Sequence, residues 1–475
     1  MLRTASVLLL IMAFVGGAIL LVNCGGGDNS NRMSQSATVK VTVSDPATCS
    51  APRGSFNHVY VTITDVQIHQ SANAGANDAG WVDLTPGLQN NLQQIDMLGI
   101  ANNQCFLASL GSTTALQAGH YQQIRIFLLD NAQASKVGNN QCGSAANCVV
   151  LSAQPNTPFP LQLSSESKTG IKIPSGQIAG GEFVVAAGEV KDLNIDLNAC
   201  ASIVVQGNGQ YRLKPVLHAG EVSTTNASIS GTVVDSITGT AIVGGNTVAA
   251  LEQRDSNGVD RVIMETVTDT NGNFVFCPVP AGMYEVVTTA INGSGIAYAA
   301  TVITGVQPGN SLGNVPVTPA LLPASITGQI TTSTGSAGTA ADLSLSALQQ
   351  ITVGGSTVMI TTPLAQQSAA TATLTTAPGP GCPVNTDCVD YTLAVPAANP
   401  SVGTFTAGGN QTPTPPPGGV VGYSLDANAF VPGSAGTADC SPSNLQTSQT
   451  STNASLTVLA GGSLTAATLA FTGCQ

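Results

Sequence analysis

The side chains able to do chemistry in this 475-residue chain crowd into its first half. His58, His69, His120 and His218 are its four histidines, and Asp65, Asp83 and Asp96 lie among them. Histidine changes charge near neutral pH, so beside a carboxylate it suggests a general base or a metal ligand. No spacing here pairs the carboxylates for acid and base work, and His58 and His69 meet only if the chain folds back between them. Exposed or core-satisfied histidines are therefore expected. Two short motifs fail similar tests. Gly309-Asn310-Ser311-Leu312-Gly313 has the spacing of a hydrolase nucleophile elbow, which needs a helix after the serine and a later histidine. Pro316 and Pro319 oppose the helix, and no histidine follows His218. Asp255-Ser256-Asn257-Gly258-Val259-Asp260 alternates oxygen ligands as a calcium loop does, but its glycine comes two places early and its twelfth position is Thr266. A polar hairpin tip is expected there, with weak surface calcium binding left open. Trp81, the only tryptophan, and Tyr121 offer rings on which a sugar could stack, although a lone tryptophan also serves as a core anchor. No catalytic residue, metal ligand or cofactor is expected.

Charge narrows the function further. Only 8% of residues are charged, against about 25% in an ordinary soluble domain. All six lysines lie at or before Lys214, and no basic side chain follows Arg261. Nucleic-acid binding needs cations to neutralise phosphates, so a nucleic-acid partner is not expected. Small polar residues, glycine and proline, few aromatics and recurrent Val and Ile alternation point to an all-β protein with many turns.

The N-terminus addresses the chain. Arg3 precedes an apolar run from Val7 to Val22, and Cys24 opens the polar stretch Gly25-Gly26-Gly27-Asp28. This order is that of an export signal. It resembles a bacterial lipoprotein lipobox, with Leu21 and Val22 in register and Asn23 where a smaller residue is usual. The resemblance implies a signal peptide over 1–23, lipidation of Cys24 and a tether over 24–37. An uncleaved membrane anchor is the alternative, since the run is about as long as a spanning helix requires. Gly25 in place of a retention aspartate implies the outer membrane of the cell envelope. Ten cysteines then remain: Cys49, Cys105, Cys142, Cys148, Cys200, Cys277, Cys382, Cys388, Cys440 and Cys474. An even number in an exported chain favours disulfides of undetermined connectivity. Cys142 and Cys148, like Cys382 and Cys388, are spaced for local staples, each contributing about 2 to 2.5 kcal/mol. Zinc is disfavoured because no C-x2-C pair or nearby histidine completes a site.

Three β segments follow. Residues 38–222 open with Val39-Lys40-Val41-Thr42-Val43 and Val59-Tyr60-Val61-Thr62-Ile63, both alternating at a strand's period of two. Phe56-Asn57-His58-Val59-Tyr60, Ala118-Gly119-His120-Tyr121, Thr169-Gly170-Ile171-Lys172-Ile173 and Gly209-Gln210-Tyr211-Arg212-Leu213-Lys214-Pro215 resemble the DUF4382 family of exported bacterial lipoproteins. Residues 227–322 contain Ile229-Ser230-Gly231-Thr232-Val233 and Asp269-Thr270-Asn271-Gly272-Asn273-Phe274, followed by Pro280-Ala281-Gly282-Met283-Tyr284. These are similar to the carboxypeptidase regulatory-like family, which implies a small transthyretin-like β-sandwich. Asn271-Gly272 suits a tight hairpin turn, and Phe274, Phe276 and Tyr284 suit one sandwich face. Residues 323–475 restart with Ile326-Thr327-Gly328-Gln329-Ile330 and fit another disulfide-bearing β-sandwich.

The expected architecture is thus tandem β-sandwich domains behind a signal and tether. The expected function is a noncatalytic, lipid-anchored envelope protein serving as a surface scaffold or adhesion module. The alternative is a carbohydrate-binding surface lipoprotein. Expected partners are the membrane, through the lipid, and a polysaccharide or another envelope protein.

Overall fold

The computed structural model describes residues 36–474, apart from 46–55, 102–106, 164–166, 206–209, 214–216, 223–227, 280, 334–339, 368, 431–439 and 441. The signal, Cys24, Cys49 and Cys105 lie outside the described residues. The chain is almost wholly β, with two short α-helices among the described residues. No described helix is long and apolar enough to cross a membrane.

The first unit faces two sheets across one core. Ala37–Ser44 sits in a four-stranded sheet between Ala108–Leu116, antiparallel, and Val190–Leu197, parallel. Leu217–Glu221 closes that sheet against Val190–Leu197. Its alternation buries Val39, Val41 and Val43. Opposite them, the long strand Phe56–His69 pairs with Gln123–Leu128 and Cys148–Leu151 and brings in Val59, Val61 and Ile63. A register shift between Ile63 and Asp65 then changes which residues face inward, so Val66 and Ile68 continue the core. Such a bulge redirects every later side chain, turning Asp65, Gln67 and His69 away from the apolar layer.

The second unit lays a small sheet over a large one. Ile229–Asp235 pairs with Asn273–Phe276 and, in parallel, with Ser311–Val317. Beneath lie Asn246–Arg254, Val259–Val267, Tyr284–Ile291 and Thr301–Val306. Phe274, Phe276 and Tyr284 fill the space between, with Leu251, Val286 and Ile303. The Asn271-Gly272 turn differs from the expected hairpin, because Val259–Val267 and Asn273–Phe276 belong to different sheets. Asp269 Oδ1 accepts from the backbone N–H groups of Asn271 and Asn273, and Gly272 adopts φ +82°. A Cβ there would stand 2.3 Å from the Val233 carbonyl oxygen, so only glycine lets the strands approach.

The large sheet does not end with the second unit. Val259–Val267 pairs in parallel with Ser356–Thr361, which continues through Asp342–Val353, Ser424–Phe430 and Asn444–Thr447. At the far edge Thr301–Val306 pairs in parallel with Ser401–Thr404. Both edges of the second unit's sheet are therefore covered by strands of the third. An exposed edge is a row of unpaired N–H and C=O groups, and this pairing covers the start of each row, at Val259 and Asp260 on one side and Thr301 to Thr304 on the other. Val287, Val302, Ile351, Val358 and Ile360 make a small core common to the two units. The third unit has its own core around Ile326, Ile330, Leu345, Tyr391 and Phe471. Its first strand, Ala324–Ser333, pairs antiparallel with Thr386–Val395 and in parallel with Ser463–Thr465 and Leu469–Phe471.

Three disulfides are defined: Cys142–Cys148, Cys382–Cys388 and Cys440–Cys474. The first two are the local staples expected from spacing. Cys277 is also disulfide-bonded, to a cysteine beyond the described side chains, among which Cys200 also falls. The cysteines left for it in the sequence all precede Arg212. Trypsin has no site after Arg261, so a denatured, unreduced digest should yield the 262–475 fragment with an upstream peptide attached. Reduction should release that peptide, and a fragment whose mass loses no such peptide would refute the linkage.

Candidate functional site

The bulge in Phe56–His69 gathers a group of reactive side chains on one face of the sheet. Gln67 stands between Asp83 on Val82–Asp83 and Arg125 on Gln123–Leu128, with Lys172 of Ile171–Pro174 beyond Arg125. Asp65, two residues back on the same face, lies beside Asp83. Gln67 Nε2 donates to Asp65 Oδ2, while Arg125 Nε donates to Gln67 Oε1 at 2.9 Å. The Arg125 guanidinium lies over the Trp81 ring, 3.8 Å from its centroid, and donates to the Ala76 carbonyl at 2.8 Å. Trp81 Nε1 donates to Gly75 O at 2.8 Å, and the His69 ring is 5.1 Å from the indole. The N–H of Ser71 donates to His69 Nδ1, so the ring proton is on Nε2, which donates to Ala79 O.

Burial, and then the neighbouring Asp83, push the Asp65 carboxyl up to about 6. Burial pulls Arg125 down to about 10. A carboxyl so buried, with a second carboxylate beside it, keeps its proton into mildly acidic pH. The sequence spacing gave no sign of this pair; the bulge creates it. Because Trp81 is the only tryptophan and Arg125 reaches Asp65 through Gln67, tryptophan fluorescence should report the titration. An inflection near pH 6 is expected, and Asp65→Asn should abolish it. An unchanged curve in the variant would assign the inflection elsewhere.

The remaining histidines stand apart. His58 Nδ1 is 2.7 Å from Asp96 Oδ2 and its ring stacks on Tyr60. His120 Nδ1 is 2.8 Å from Glu182 Oε1 on the surface. His218 is buried opposite Asp196 on the neighbouring strand, and burial lowers its pKa to about 3. Tyr121 is in the first core, its hydroxyl donating to Gln117 O, so its ring offers no open face to a sugar. One face of Trp81 is likewise taken by Arg125. Ser311 begins the strand Ser311–Val317, so the glycine-serine motif has no helix after its serine, and most of it is strand rather than loop. Asp255 accepts from the backbone of Asn257 and Val259 and binds Arg261, while Asp260 binds Arg254, as a hairpin tip requires. No group of three or more His, Cys, Asp or Glu among the described residues is arranged to hold a metal ion.

A second polar group lies where the three units meet. Ser44 Oγ donates to Asp196 Oδ1 at 2.9 Å, and Asn198 Nδ2 donates to Glu265 Oε1 at 3.3 Å. The Ala370 N–H donates to Glu265 Oε2, so this carboxyl of the second unit touches both neighbours. Burial raises Asp196 to about 8 and Glu265 to about 7. Beside them, Gln177, His218, Arg261, Ser344 and Thr371 line a polar cavity of about 20 Å³, room for a single water.

No curated protein matches the chain. Among solved structures it is similar to the Bacillus anthracis TIE protein at 10% identity and a TM-score of 0.16, covering 92% of this chain and 51% of that one. The chain therefore spans about half the length of that protein. The minor pilin GBS52 of Streptococcus agalactiae aligns at 9% identity and a TM-score of 0.17, over 52% of this chain and 97% of its own. A putative adhesin from Bacteroides ovatus aligns at 8% identity and a TM-score of 0.15, over 44% and 79%. Superpositions this loose carry no functional argument. The family comparison is specific to the unit that holds the Asp65 and Asp83 pair: residues 36–215 match the domain of unknown function DUF4382.

Proposed function

We propose that the protein is an exported, noncatalytic scaffold or adhesion module of the bacterial cell envelope, held to the outer membrane by lipid on Cys24. The observation that carries the reading is the junction at Glu265, where side chains and backbone of all three units join in one buried hydrogen-bonded group. A chain joined in this way holds surfaces in fixed relation, which is what a scaffold requires. The export signal, the paired cysteines and the sparse charge support the same reading. Its three-part organisation is a DUF4382 domain, a regulatory-like unit and a third unit sharing the second one's sheet.

The test is fractionation of cells expressing the full chain and its Cys24→Ser variant. The unaltered chain should remain with outer membranes, and the variant should be recovered free of them. A freely soluble unaltered chain would overturn the anchor. Saturable binding of the purified protein to a polysaccharide panel would overturn the scaffold reading in favour of carbohydrate binding.

A further inference from the structure

The way each unit begins and ends determines how it meets a pulling force. In the second unit the first strand, Ile229–Asp235, is hydrogen-bonded in parallel to the last, Ser311–Val317, from Ser230 opposite Ser311 to Asp235 opposite Val317. In the third, the first strand, Ala324–Ser333, is bonded in parallel to Ser463–Thr465 and Leu469–Phe471, the last two strands before the C-terminus. Parallel neighbours have their entry and exit at opposite ends. Tension along the chain therefore slides one strand against the other and loads the registered bonds together.

The first unit is built the other way. Its entry strand, Ala37–Ser44, runs parallel to Val190–Leu197, and its exit strand, Leu217–Glu221, runs antiparallel to the same strand. Entry and exit then lie at one end, where tension peels bonds in turn. We infer that the second and third units form a tension-resisting link in series, and that the first unit yields before them. This inference rests on the envelope-scaffold reading for the source of the tension. The Cys440–Cys474 disulfide adds a covalent route for force entering at the C-terminus, bypassing residues 441–473.

Single-molecule stretching of the full chain tests this in two geometries. Attachment at Leu322 and the C-terminus pulls the third unit's parallel strands past one another. Attachment at Leu322 and Ala397 peels Ala324–Ser333 from its antiparallel partner Thr386–Val395, starting at the Ala324 and Val395 pair. The first geometry should need a several-fold higher rupture force at the same pulling rate. Equal forces would overturn the inference. Reduction should also lengthen the released contour in the first geometry by about 120 Å, from a 34-residue separation at roughly 3.6 Å per residue. No added length from that loop would overturn the covalent route. Because fractionation tests the anchor separately, a chain that resists tension but is not retained by membranes overturns the envelope reading alone.

Discussion

Replacing Arg261 with methionine is expected to lower the stability of the folded chain by about 3–5 kcal/mol, read as a shift of the denaturant midpoint. Arg261 is the last base in the chain, and its side chain is 12% exposed. Its Nε donates to Asp255 Oδ2 at 3.1 Å and its NH1 donates to Asp426, whose carboxylate is wholly buried in the third unit. Asn444 and Gln446 also donate to Asp426, yet neither carries charge. Most of the cost comes from leaving that carboxylate without its cation, since a broken buried pair is worse than an apolar replacement of both partners. The double variant Arg261→Met, Asp426→Asn should therefore recover much of the loss. A single variant costing under ~1 kcal/mol, the range of exposed pairs, would refute this account, as would a double variant no more stable than the single.

The second large effect is expected from pH. Burial raises Asp196 to about 8 and raises Glu265 and Glu285 to about 7. A carboxyl whose folded pKa exceeds its unfolded value favours the folded chain fully below the unfolded value, near 4. That contribution is lost as pH rises through the folded value. His218 acts in the opposite sense: its folded pKa of about 3 lies below the ordinary histidine value, so it costs stability as pH falls through the acid range. Three carboxyls outweigh one imidazole, so stability should fall from pH 5 to pH 8. Each unit of displacement is worth about 1.4 kcal/mol, and the sum amounts to several kcal/mol. Denaturant titrations at the two pH values measure it. The Asp196→Asn, Glu265→Gln double variant should show a much smaller fall, and an unaltered chain equally stable at both would exclude these groups as its cause.

The features legible in sequence were those written in local pattern. Alternation placed Val39, Val41 and Val43 in a core, the equal cysteine spacings marked the two local staples, and Phe274, Phe276 and Tyr284 proved to share one apolar layer. The DUF4382 resemblance was carried by short stretches spread over the whole first unit. What escaped notice depended on distance or on a single inserted residue. Strict period-two reading from Val59 would send Asp65 into the core; the register shift after Ile63 sends it to Asp83 instead. Arg261 and Asp426 are 165 residues apart, and no local rule pairs them. Nor does the order of three units along a chain foretell that two will share a sheet, because edge pairing is settled by what arrives beside the edge. The spacing that failed to link Asp65 with Asp83 was thus a correct reading of the linear chain and an incomplete one of the folded face.

The shared sheet also sets a schedule for folding. Val302 pairs with Val402, and Asp260 with Ile360, each across 100 residues. When the second unit first emerges, both flanks of its sheet lack their final neighbours, and contacts of such wide separation form slowly. The growing chain is then open to pairing with other chains until residues 401–404 emerge and dock. A truncation after residue 322 would make that interval permanent. Completing the middle third's sheet therefore waits on the last third of the chain.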